Sequence, residues 1–74
     1  MKTELTDFKT GWYGVTLGVK EADIDNLIRA LQLMKCDPKK HFHISSDYQD
    51  EQGIADIEVY VQTSNETDNM SLHF

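Results

Sequence analysis

The apolar residues in the C-terminal half of this chain keep a regular parity, and parity restricts how the segments can pair. In His41–Tyr48 the apolar positions are even: Phe42, Ile44 and, at the end, Tyr48. In Ile54–Gln62 they are mainly odd, at Ala55, Ile57, Val59 and Val61. In Asn69–Phe74 they are even again, at Met70, Leu72 and Phe74. Strand side chains alternate between two faces, and antiparallel partners have position numbers of constant sum. Setting apolar against apolar therefore requires an odd sum in each hairpin. The compact solution pairs Phe42 with Val59 and Ile44 with Ile57, around a loop near Tyr48–Gly53. The next hairpin then pairs Val61 with Met70 and Val59 with Leu72, around Thr63–Asp68. The opposite face follows without further choice. His43 sits across from Glu58, and Glu58 from His73, while Ser45 faces Asp56. His41, Tyr60 and Ser71 form the neighbouring row.

Upstream, the pattern changes period. Ile24, Leu27, Ile28, Leu31 and Met34 recur at three- and four-residue spacing, which predicts a helix over Glu21–Cys36 with one apolar stripe. Glu21, Asp23 and Asp25 at its start and Lys35 at its end suit the helix dipole. Asp37-Pro38 ends it, because a residue preceding proline is pushed out of the α region. Trp12–Val19 reads as a strand, with Tyr13, Val15, Leu17 and Val19 on one face and Trp12, Gly14, Thr16 and Gly18 on the other. Lys2–Lys9 alternates poorly and reads as an edge strand or a frayed end. The expected fold is α+β, with one helix packed on one face of a four-stranded, mostly antiparallel sheet. The order is β-α-β-β-β, or five strands if the N-terminal segment pairs. If the connection through the helix joins parallel neighbours it is a right-handed crossover, and the sequence leaves strand order open.

With 74 residues the chain forms a single domain over positions 1–74. So short a chain buries only about 60% of its unfolded surface. A single cysteine, Cys36, allows no internal disulfide, and no zinc-finger spacing is present. The remaining route to more apolar burial is self-association, so a homo-oligomer, dimer or higher, is expected. The net charge of −6, from 13 acidic against 7 basic residues, argues against direct nucleic-acid binding. It suits solubility or a basic protein partner. No apolar run reaches the ~20 residues of a membrane span. The first residues, Met1–Asp7, lack the apolar core of a signal peptide. With its lone thiol, the chain is expected to be cytoplasmic.

Three classes of function are compatible with these residues, and all three are forms of binding. The leading one is a non-enzymatic inhibitor or neutraliser of a larger protein, of the toxin-immunity or phage anti-defence type. Its contacts are expected from Trp12, Tyr48 and Tyr60, bordered by Asp47, Asp50, Glu51 and Asp56, because aromatic anchors inside a charged rim suit interfaces. The second is capture of a small anionic ligand such as a nucleotide at a subunit interface, with Gly14 and Gly18 leaving room beside Lys39, Lys40 and His41. The third is a divalent-metal site on His43, Glu58 and His73, whose imidazole and carboxylate groups are competent ligands. Two strand spacings, roughly 10 Å, separate the two histidines of that row, which disfavours tight chelation. No phosphate-cradling glycine loop or nucleophile elbow is present, and Cys36 at a helix C-terminus is not activated. Neither catalysis nor a cofactor is expected.

Overall fold

A computed structural model describes the whole chain, Met1–Phe74. The protein is α+β, in the order β1 (Lys2–Asp7), β2 (Tyr13–Gly18), α1 (Glu21–Cys36), β3 (His41–Ser45) and β4 (Asp56–Tyr60). All pairing is antiparallel, and it forms two separate two-stranded sheets, β1-β2 and β3-β4. The expected four-stranded sheet is therefore divided, and no parallel crossover joins the halves.

The N-terminal segment pairs fully with β2, from Lys2 opposite Gly18 to Asp7 opposite Tyr13. Its turn has a local cause. The Asp7 side chain accepts a hydrogen bond from the Lys9 amide at 2.8 Å, and the Phe8 amide bonds the Trp12 carbonyl at 3.2 Å. Gly11 supplies the positive φ of 91° that reverses the chain. The Phe8 ring then folds over Gly14. A β-carbon there would lie 2.7 Å from Phe8 Cζ, so the missing side chain is the room the ring occupies.

The helix spans the expected residues, but its apolar stripe is divided between two environments. Leu27 and Ala30 are half-buried and Met34 is 6% exposed, at four- and three-residue spacing along one side. Ile24, Ile28 and Leu31, on the adjacent side, stay about half exposed. The amino-terminal ammonium reaches Asp23 at 3.7 Å, tying the start of β1 to the first turn of α1. Met34 is the only buried residue of the protein.

The β3-β4 ladder has the expected register, with Phe42 opposite Val59 and Ile44 opposite Ile57. These four residues are half-buried, and the histidines and carboxylates lie on the exposed face. The third segment of the expected meander departs from the pattern: Asn69–Phe74 forms no strand. Met70, Leu72 and Phe74 are at least 82% exposed. The cause lies upstream, in the segment expected to make the second hairpin loop. Glu66 accepts hydrogen bonds from the Tyr60 hydroxyl, from the Thr63 amide at 3.1 Å and from Thr63 Oγ1 at 3.4 Å. The Glu66 amide also bonds the Thr63 carbonyl at 3.2 Å, closing a tight turn against the end of β4. Three apolar side chains among polar ones offer little burial to bring the tail back from that turn.

The accessible surface is 7109 Å². A folded monomer of this mass exposes about 4,700 Å². The radius of gyration is 14.3 Å, against about 11 Å for a compact chain of this length. Part of the difference is the tail. The rest is apolar surface on the elements themselves, including Leu5, Tyr13 and Val15 on the first hairpin and Ile24, Ile28 and Leu31 on the helix.

Candidate functional site

The exposed face of β3-β4 carries the densest arrangement of chemical groups. Alternation places His41, His43 and Ser45 on that face of β3, and Asp56, Glu58 and Tyr60 on the same face of β4. His43 lies directly opposite Glu58 and diagonal to Asp56, and it uses both neighbours. Its Nδ1 is 2.9 Å from Asp56 Oδ2, and its Nε2 is 3.4 Å from Glu58 Oε1. Ser45 Oγ donates to the other oxygen of Asp56 at 2.9 Å. The His41 ring stands edge-on to that of His43, with centroids 5.1 Å apart. Ligand atoms of His41, His43 and Glu58 all lie within 4.8 Å of one another.

The electrostatics follow from this geometry. The Asp56 hydrogen bond, reinforced by the charges of Asp56 and Glu58, raises the pKa of His43 above the usual imidazole value, against a smaller opposing effect of desolvation. The same hydrogen bond, then that from Ser45, holds Asp56 below the usual carboxylate range. Beside this row, the hydrogen bond to Glu66 raises the Tyr60 phenol and lowers the Glu66 carboxyl. All these groups are open to solvent, and the row borders two open cavities, with His43 and Ser45 lining one and Glu58, Tyr60 and Glu66 the other.

Of the expected metal row, His43 and Glu58 are brought together and His73 is not, because the tail that carries it forms no strand. His41 occupies the third position instead. It was legible as the same-face residue two before His43. Asp56 was expected only opposite Ser45 and in the acidic rim. Its bond to His43 follows from the diagonal reach across an antiparallel pair.

The expected protein-contact residues are divided. Asp47, Tyr48, Asp50 and Glu51 line an open groove of about 790 Å³, together with Met1, Thr3 and Leu5 of the N-terminal segment and His43 and Ser45 of β3. Ile44, Ile54 and Ile57 form apolar parts of its wall. Tyr48 sits at a positive φ of 58°, in a loop where Ser46 Oγ accepts from the Tyr48 amide at 2.9 Å. Asp56 and Tyr60 instead belong to the polar row and a second, shallower cavity respectively. Trp12 lines neither cavity and is 77% exposed at the tip of the first hairpin.

The expected anion-capture residues are not assembled around either cavity. The space above Gly14 is filled by Phe8, and a β-carbon on Gly18 would make only ordinary contact, 3.6 Å from the Lys2 carbonyl. Lys39, Lys40 and His41 are consecutive at the start of β3, after a turn in which Asp37 accepts from the Lys39 amide at 3.2 Å. No helix is long and apolar enough to cross a membrane.

Comparison with protein-family models, with curated proteins and with solved structures finds no match to this chain.

Proposed function

We propose that this chain is a small acidic binding protein, without catalytic activity, that self-associates and neutralises a larger protein partner. The observation that carries this reading is the uncovered surface: 7109 Å², about 2,400 Å² above a folded monomer of equal mass. Obligate homo-oligomers bury areas of this order, and their separated subunits look like half of a core. A fold with one buried side chain gains from association what its own core lacks. The first hairpin and the outer side of α1 carry the apolar groups for that contact. The acidic loop around Asp47, Asp50 and Glu51, which lines a groove of mixed polar and apolar character, then suits a partner with a basic, apolar-tipped element.

Native mass spectrometry and light scattering on untagged protein test the first part. The expected result is a defined oligomer that Val15→Lys or Leu31→Lys converts to monomer. A wild type that is monomeric at high micromolar concentration removes the basis of the reading. For the second part, Asp50→Lys with Glu51→Lys is expected to abolish recovery of a partner that the wild type retains. Lys39→Glu with Lys40→Glu is expected to leave it unchanged. The reverse pattern would favour anionic-ligand capture.

A further inference from the structure

We propose that His41, His43 and Glu58 form a binding site for a zinc-class divalent cation, with Asp56 as the residue that positions His43. The proposal stands apart from the neutraliser reading, because it rests on the polar face of β3-β4 and needs no partner.

Three geometrical facts carry it. First, the three ligand atoms already lie within 4.8 Å of one another, without any rearrangement of the backbone. Second, the separation of His43 Nε2 from Glu58 Oε1 is 3.4 Å. Zinc binds nitrogen at about 2.0–2.1 Å and carboxylate oxygen at about 2.0–2.2 Å, so two ligands of a tetrahedral ion stand about 3.3 to 3.5 Å apart. One edge of the coordination polyhedron is therefore already set, and His41, two residues along the same strand face, is placed for a second nitrogen. Third, the other ring nitrogen of His43 is occupied in the manner of metal-bound histidines. Nδ1 is 2.9 Å from Asp56, and Asp56 is itself held by Ser45 Oγ at 2.9 Å. A carboxylate on the distal nitrogen fixes the tautomer that presents Nε2 as an electron-pair donor and keeps the ring from turning.

The same 3.4 Å contact serves as an ion pair when His43 carries both protons. A metal and a proton compete for Nε2. Binding to the protonated form therefore releases that proton to solvent, while the Nδ1 proton stays on His43 and is donated to Asp56. Three protein ligands leave one position of a tetrahedral ion to water. The face is open to solvent, so the ion has a free path in and out.

Titration of zinc chloride into untagged, metal-free protein, followed calorimetrically, is the test. One zinc per chain is expected. His41→Ala, His43→Ala and Glu58→Gln should each weaken binding at least tenfold, and Asp56→Asn by about 10- to 100-fold although it removes no ligand. His73→Ala should leave the affinity unchanged. Imidazole nitrogen chemical shifts of the wild type supply a readout that does not depend on variants. Zinc should move the signals of His41 and His43 and leave those of His73 in place. In Asp56→Asn the His43 signals should report loss of the Nδ1–H tautomer. Absence of zinc binding overturns the proposal. So does an affinity indifferent to His43→Ala, or a shift confined to His73, since either places the ion elsewhere on the acidic surface.

Discussion

Glu66 draws the end of β4 and the following turn together, and its chemistry makes that tether sensitive to pH at both ends. Its carboxyl is held below the usual range, first by the Tyr60 hydroxyl and then by the Thr63 amide. A lowered carboxyl contributes stability that is present above its unfolded pKa and lost as the pH falls through the folded one. Tyr60 is raised by the same bond, so its contribution is present below the ordinary phenol value and lost as the pH climbs through the folded one. The tether therefore holds between acid and strongly alkaline conditions. An ultraviolet phenolate titration should show one of the three tyrosines ionising last. Tyr60→Phe should remove that late step, and Glu66→Gln should return it to the ordinary range. Phenols that ionise together in the wild type would contradict the arrangement. In sequence Thr63–Asp68 reads as a hairpin loop, and the Thr63-to-Glu66 closure inside it was not foreseen. That closure competes with the parity pattern that pointed to a hairpin, and the local hydrogen bonds prevail over three exposed apolar residues. Gly14 makes a second case at this scale. A methyl group there must displace Phe8, so Gly14→Ala is expected to cost roughly 1 kcal/mol in a denaturation experiment. In a Phe8→Ala background the same substitution should be nearly neutral, as a double-mutant cycle will show.

Among the elements, periodicity was a sound guide where one face is covered and a poor one where neither is. The helix from Glu21 to Cys36 and the pairing of Phe42 with Val59 were both legible, because each has a covered side, formed by Leu27 and Met34 on the helix and by Phe42 and Val59 on the ladder. The polar row came with that register, which is why His43 and Glu58 were found together. Strand order was not legible. Alternation tells which side chains share a face but not which backbone edges meet, and here β2 and β3 stay in different sheets. The division of the helix stripe was equally hidden, since Ile28 and Leu27 look alike in sequence. It has a measurable result. Met34→Ala is expected to cost about 2 kcal/mol, at the lower end for a buried methionine in a thin core. Ile28→Ala, at 48% exposure, is expected to cost about 1 kcal/mol or less in denaturation at high dilution. Equal losses would mean that the two sides of the helix share one environment.

Across the whole molecule, the balance between covered and uncovered surface sets the behaviour. Self-association binds the folded state and not the unfolded one, so it raises apparent stability by mass action. The midpoint of thermal unfolding should therefore climb with protein concentration for the wild type and stay flat for Val15→Lys. A concentration-independent wild type would mean that the exposed faces are left open in solution. The division into two hairpins has a further consequence, in time instead of space. β1 meets β2 across Phe8–Trp12, and β3 meets β4 across the loop that follows Ser46, so every ladder joins neighbours in sequence. No distant ends must find each other before pairing is rewarded, and chains with such local contacts fold in microseconds to milliseconds. On the self-association proposed above, the slow step of renaturation is then the meeting of finished subunits. Its rate rises with concentration, while the rate of the preceding step does not.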